Sequence, residues 1–348
     1  SAQGRLRHGL LINSTHTGKG MKAIVLKDFG GPEMMELAEV ATPSPKGDQI
    51  LIKVMNASVN RPDVIQRQGN YPPPPGDSEI LGLEVAGTIE AVGADATRFK
   101  LGDRVVALVG GGGYAEYALA YEEHAMTIPD SVSFEQAACI CETYITAYLN
   151  LFLLADLGGA DSVLIHGGGG GVATAAIHLC QALTPETTVI VTASTGKLQR
   201  VKDQGVDLVI DYRELDFAEE VRKRTRGRGV DVILDHIGAP YLEPNMKSLA
   251  VGGTLVEIGV TGGTTAALNI ARMMVKRQRI IGSVLRSRPV NEKAAIIEQF
   301  EKTVVPLFAA GTIEPTVDAR FSLRDAAQAH RLMERGGHFG KIVLQNRH

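Results

Sequence analysis

The residues with the clearest chemical potential form one unbroken stretch: Ser162-Val163-Leu164-Ile165-His166, then Gly167 to Gly171, then Val172-Ala173-Thr174-Ala175-Ala176-Ile177-His178-Leu179. An apolar, β-branched run that ends in glycines and continues with helical apolar spacing reads as strand, tight turn and helix. Glycines let the backbone turn sharply and approach a pyrophosphate closely, while the first N–H groups of the helix point at the anion. A glycine run alone also marks flexible loops; the strand before it and the helix after it select the phosphate cradle. About 20 residues further on, at the tip of the next strand, an NAD site places an acid for the ribose 2′-hydroxyl. This chain has Thr192-Ala193-Ser194-Thr195-Gly196-Lys197 there instead. Hydroxyls and a lysine would hold a 2′-phosphate through charge-assisted bonds of about 1.5–3 kcal/mol each, so the stretch predicts NADPH over NADH. A solvated Lys197 at a helix start is the alternative. His166, at a strand end, reads as a packing residue rather than a catalytic base.

Two kinds of element must position these residues. From Met21 to about Met126 the pattern is one of short strands broken by turns, at 21–27, 49–57, 86–92, 104–109 and 114–120. A helical turn opens at Pro62 and runs to Arg67, and Tyr71 leads into the stiff run Pro72 to Pro75. A helix follows Ser133 and another spans 143–155. Strands at 163–166, 189–192, 208–211, 230–235, 254–258 and 280–285 then alternate with helices beginning near Val172, Lys197, Phe217, Tyr241 and Ile270. Strand after strand with helical spacers means a parallel, doubly wound sheet. Past Pro289 come a long amphipathic helix at 291–310, a strand at 314–319, a helix at 323–334 with Ser322 as its N-cap, and a strand at 341–344. This tail has no core of its own and is expected to pack on the N-terminal β domain, leaving a cleft between the domains.

Composition bounds the alternatives. A chain of 348 residues with 44% hydrophobic and 22% charged residues is an ordinary α/β protein of two domains. A net charge of −3 disfavours nucleic acid as the main partner. No apolar run reaches the roughly 18 residues of a membrane span. The three cysteines, Cys139, Cys141 and Cys180, cannot build a disulfide framework or a four-thiolate zinc site. They read as small buried hydrophobes in a reducing, cytoplasmic setting. Residues 1–20 carry Arg5, Arg7 and Lys19 and no acid. They read as a disordered or non-native extension, with a mitochondrial transit peptide as the alternative.

Further stretches carry a family pattern: Asn60-Arg61-Pro62-Asp63-Val64-Ile65-Gln66-Arg67-Gln68-Gly69-Asn70-Tyr71, Leu81-Gly82-Leu83-Glu84-Val85-Ala86-Gly87 and Lys100-Leu101-Gly102-Asp103-Arg104-Val105. Leu285-Arg286-Ser287-Arg288 and Gly340-Lys341-Ile342-Val343-Leu344 extend it. From Met21 to Leu344 the chain resembles the medium-chain dehydrogenase/reductase superfamily and, within it, the zinc-free quinone oxidoreductases. The resemblance implies an α/β architecture: a GroES-like, mostly β catalytic domain (21–142 and 288–348) and a Rossmann domain (143–287) with a doubly wound parallel six-stranded sheet. The zinc ligands of related alcohol dehydrogenases match Asn60 and Leu83 here. Neither supplies a thiolate or an imidazole, so no metal is expected. A quinone is already electrophilic, and its reduction needs chiefly that the ring be stacked against the nicotinamide.

By the same resemblance, Asn60, Asp63 and Tyr71 are the candidate catalytic residues. Asn60 and Tyr71 would line the substrate site, Tyr71 giving an aromatic face and a hydroxyl; it could equally anchor the Pro72 to Pro75 loop. Asp63 would either face the site or stabilise its own helix start. The implied NADPH contacts are Asn60, Thr146 beside the nicotinamide, and Gly168, Gly170, Gly171 and Val172 at the pyrophosphate. Ser194, Lys197 and Tyr212 fall around the 2′-phosphate and adenosine. Gly259 and Leu285 lie at later strand ends, and Gly340 and Lys341 on the tail that closes over the cofactor. The runner-up activity is reduction of enal or enone double bonds, and a reading of another class is a nucleotide-sensing or RNA-associated crystallin-like protein. The sixth strand would be a sheet edge, which implies a homodimer through that edge.

Lys197→Ala should lower kcat/KM for NADPH about tenfold to a hundredfold, the loss of one charge-assisted bond, and leave NADH use nearly unchanged. Steady-state kinetics with both cofactors checks this, and a wild-type NADPH/NADH ratio near one would refute it.

Overall fold

The N-terminal alternation of apolar and polar residues forms seven strands: β1 Gly20–Leu26, β2 Met35–Ala41, β3 Gln49–Val59, β4 Glu84–Val92, β5 Arg104–Leu108, β6 Tyr117–Tyr121 and β7 Ala125–Thr127. They belong to a computed structural model that describes residues 20–346. The expected extension at 1–20 lies outside the described residues except for Gly20. The next six strands are β8 Ser162–Ile165, β9 Thr188–Ala193, β10 Leu208–Asp211, β11 Val230–Asp235, β12 Leu249–Glu257 and β13 Arg279–Gly282. The tail adds β14 Val317–Ser322 and β15 Lys341–Gln345.

Strands β8 to β13 form one parallel sheet in the order β10-β9-β8-β11-β12-β13. Strand order reverses between β8 and β11, and the crevice at their carboxyl ends is where such sheets take a ligand. β8 is buried along its whole length, as a central parallel strand must be. The tail strands complete the other sheet, ordered β14-β15-β3-β4-β5-β7 with β6 on β3. The fold is therefore α/β, a GroES-like domain beside a Rossmann domain.

One hydrophobic core runs through both domains. Ala86, Val106 and Met126 of the GroES-like sheet share it with Val163, Ile165 and Ala176 of the Rossmann domain and with Ile296 and Phe300 of the helix Val290–Ala309. The walls of the interdomain cleft are thus joined by packing and not only by linkers.

Several element bounds differ from those expected. The strand placed at 114–120 begins at Tyr117, because Tyr114 turns fully inward. β2 was not expected: its half-exposed residues, with Glu36 and Glu39 among them, lack a clean apolar face. The helix expected at 143–155 is α-helical over Cys141–Tyr148 and widens to a π-turn over Leu149–Leu154. β13 ends at Gly282, short of Leu285, and β14 lies three residues later than expected. Among the described residues no helix is long and apolar enough to cross a membrane.

Candidate active site

The glycine turn holds its shape through main-chain bonds. The Gly168 N–H donates to Thr192 O at 2.8 Å and the Gly170 N–H to Gly167 O at 2.8 Å, and Gly170 is the N-cap of the helix Gly171–Leu183. Gly167 sits at φ +71°, and a Cβ there would strike the His236 ring. A Cβ on Gly169 would fall on the aliphatic stem of Lys197. The turn is therefore a concave backbone surface with a lysine laid across it, which fits a dinucleotide phosphate. Ser194 and Lys197 bracket a short turn in which the Lys197 N–H donates to Ser194 O at 2.8 Å. Among the described residues no carboxylate lies within ion-pair distance of the Lys197 ammonium. Its pKa is lowered, first by burial, with Asp318 acting the other way. Tyr212 follows directly on β10 and is 40% exposed. Val172 is the second residue of the helix after the turn.

The tail reaches the same turn. The Gly340 N–H donates to Gly169 O at 3.0 Å, at φ +83° for Gly340. Gly259 lies just past β12 against His236, and Leu285 packs into the shared core. Thr146 is partly exposed on the helix Cys141–Tyr148. Arg61 was not singled out from the sequence. Its guanidinium donates to Met333 O at 3.3 Å and adds positive charge near Lys197, His236 and His338.

Asn60, Asp63 and Lys341 stand differently from what was expected. The Glu84 carboxylate is fully buried, and its Oε1 accepts from Ser58 Oγ, from Asn60 Nδ2 at 2.9 Å and from Lys341 Nζ at 2.9 Å. Its Oε2 accepts the Glu142 backbone N–H at 2.9 Å. Lys341 Nζ also donates to Asn60 Oδ1 and Val59 O. Asn60 and Lys341 are buried and commit their polar atoms to each other and to Glu84. Asp63 is likewise buried completely. Its oxygens accept from Asn60 N at 2.8 Å, Gly82 N at 3.0 Å and Tyr114 OH at 3.1 Å. Of the two readings that its position allowed, facing the site or holding its own helix start, Asp63 takes the second: buried, it pins its helix start to the Gly82 turn. Burial pushes its pKa up to about 6 against those bonds.

Behind Asp63 runs a buried polar chain. Arg67 Nη1 lies 3.2 Å from His330 Nδ1, and His330 Nε2 lies 3.0 Å from Tyr114 OH. Arginine can only donate, so His330 Nδ1 accepts and its Nε2 carries the hydrogen. Burial, then Arg67, lowers the His330 pKa to about 3, which keeps it neutral. Arg67 also pairs with Glu334. His166 is a packing residue: it is buried, bonded at Nδ1 to Thr192 Oγ1 (2.9 Å) and at Nε2 to Asn245 Oδ1 (2.7 Å). Burial lowers its pKa to about 4.

Tyr71, partly exposed, packs against the buried Arg286. The Arg286 guanidinium lies 5.2 Å from the Tyr71 ring centre and donates to Gly110 O and to Gln66 Oε1 (2.8 Å). It ties the loop after β13 to the GroES-like domain and fixes the aromatic face. Burial raises the Tyr71 pKa, with Glu142 next as a cause.

Residues 46–130 match the family described as alcohol dehydrogenase GroES-like domain, and 204–344 the one described as zinc-binding dehydrogenase. The human quinone oxidoreductase is 34% identical over 330 residues, covering 94% of this chain and 98% of that protein. The chain belongs to the medium-chain dehydrogenase/reductase superfamily. Among solved members, a Pseudomonas syringae quinone oxidoreductase superposes with a TM-score of 0.84 at 28% identity, covering 94% of this chain and 100% of that one. CurK enoyl reductase does so at 0.82 and 26%, covering 93% and 99%. Membership of this superfamily implies a nicotinamide cofactor, and the glycine cradle fits its phosphates. The zinc in the second family's description has no such fit. Asn60 and the buried Leu83 offer no thiolate or imidazole, an ammonium stands beside Asn60, and no described group of three or more His, Cys, Asp and Glu could hold a metal.

Lys341→Met should destabilise the protein by about 3–5 kcal/mol, because it strands a buried carboxylate. Adding Glu84→Gln should restore much of that loss, as read by urea unfolding; a single-variant loss below about 1 kcal/mol would contradict the pairing.

Proposed function

We propose that this superfamily member is an NADPH-dependent, metal-independent quinone reductase that holds its acceptor in the interdomain cleft. The observation that supports the reading is the partly exposed Tyr71 ring, backed by Arg286, with the buried Lys341–Glu84 pair; in this reading the ring faces the acceptor and the pair lies beneath it. A flat, uncharged wall suits a flat electrophile, and no Lewis acid is needed where the acceptor is already electron-poor. The nicotinamide supplies the hydride when bound. The chain's residues orient and enclose: the glycine turn and helix start at 167–172 for the pyrophosphate, Thr146 for the nicotinamide, and Ser194, Lys197 and Arg61 for the 2′-phosphate. Gly259 and Leu285 define the far wall, Tyr212 the adenosine end and Gly340 the cover. Asn60, Asp63 and Lys341 act from below as positioning residues. Reduction of activated carbon–carbon double bonds is the second reading, favoured by the likeness to an enoyl reductase. An NADPH oxidation screen over quinones and enals at saturating cofactor separates the two. Tyr71→Ala should raise the quinone KM about threefold to tenfold, the loss of an aromatic stacking partner, and leave the NADPH Kd intact. Unchanged quinone kinetics would overturn the Tyr71 assignment.

The partner at the free sheet edge is, in this reading, a second copy. Among the described residues β13 pairs only with β12, and the neighbouring helix Ile270–Lys276 buries none of its residues, with Met274 69% and Val275 79% exposed. An apolar edge whose own N–H and C=O groups are unpaired is self-complementary across a two-fold axis. Light scattering should give a dimer for the wild type and a monomer for Val275→Asp with Ile280→Lys; a wild-type monomer would refute it.

A further inference from the structure

Glu142 gives the Glu84 cluster only its backbone N–H. It is the second residue of the helix Cys141–Tyr148, and its N–H is fixed on Glu84 Oε2 at 2.9 Å. Its side chain is partly exposed, and among the described residues its carboxyl oxygens have no hydrogen-bond or ion-pair partner. Tyr71 and Arg286 both lie within its electrostatic reach. Thr146 stands one turn further on the same helix face. An unpaired, partly exposed carboxyl group near Tyr71 and Arg286, on a helix fixed through its own backbone, is placed to deliver a proton to a bound acceptor.

We propose that Glu142 is the general acid of the reductase, protonating the acceptor oxygen that becomes anionic as hydride is added. The assignment rests on the reductase reading above. The hydride pair comes from the dihydronicotinamide, which is oxidised while the acceptor is reduced. The Glu142 O–H bond breaks with its electrons staying on the carboxylate, an O–H bond forms on the acceptor, and water at the cleft returns the proton. Quinones and enones both develop charge on oxygen, so one acid serves either. Burial first, then Glu84 and Asp63, push the Glu142 pKa up to about 8, while Lys341 and Arg286 oppose. Lys293, Tyr71 and Cys141 are the other titratable groups that face it. The carboxyl is therefore protonated at pH 7, and this acid form is lost as pH rises through about 8.

On an acceptor that the wild type reduces, Glu142→Gln should lower kcat about a hundredfold or more, the usual contribution of a general acid. NADPH affinity by fluorescence titration should stay within about twofold, and Glu142→Asp should recover part of the rate. The wild-type kcat should fall above about pH 8, and that limb should vanish in Glu142→Gln. Independently of turnover, the wild-type-minus-variant infrared spectrum at pH 7 should show a protonated carboxyl band. A Glu142→Gln enzyme with unchanged kcat and pH profile would overturn the proposal. So would loss of rate and pH limb in Tyr71→Phe but not in Glu142→Gln. Failure of the wild type on quinones and enals alike would overturn the reductase reading and this assignment with it, whereas the infrared band reports on the carboxyl alone.

Discussion

The fully buried Glu84 carboxylate is the point from which the site is built. A charge taken out of water is tolerated only when its lone pairs are met, and here a hydroxyl, an amide, an ammonium and a helix-start N–H meet them. These donors come from β3 and its end, from the tail strand β15 and from the helix that leads into the Rossmann domain. One carboxylate thus sets the relative place of three separate parts of the chain. Replacing any donor leaves the same charge with one bond fewer, which makes the arrangement demanding as well as stable.

Two other links act in the same sense. Arg286 crosses from the Rossmann loop to Gly110 and Gln66, and Gly340 crosses from the tail to the glycine turn. Together with the shared core they join the glycine turn, the Tyr71–Arg286 contact and the Glu84 cluster in one packed body. Catalysis by positioning needs such a body, because errors of an ångström in placement cost large factors in rate.

Much of the fold was legible in the sequence because its signals are local. The glycine turn, the six alternating strands and the long C-terminal helix are written in periodicity and turn residues within windows of a few residues. The misses share one cause. Asp63 has the same sequence signature whether it faces a cleft or pins a helix start. The choice is made by Gly82 and Tyr114, which lie 19 and 51 positions away. Glu84 sat inside a recognised motif, yet its role depends on Lys341, 257 positions on. Arg286 and Gln66 were each quoted in a motif, and only the folded chain shows that they bond to each other across 220 positions. Tyr114 read as the start of a strand because an aromatic at an alternating position carries no mark of a deeply buried hydroxyl.

The chain from Arg67 through His330 and Tyr114 to Asp63 has one further property. Every hydrogen in it points the same way, toward Asp63. For a proton to hop along it, His330 would have to pass on its Nε2 hydrogen and receive another from Arg67, which a guanidinium does not release. The row therefore offers Asp63 hydrogen bonds without a proton supply. Asp63 is thus held by donors that cannot resupply it with protons from behind, and the row serves as a fixed brace for the helix start.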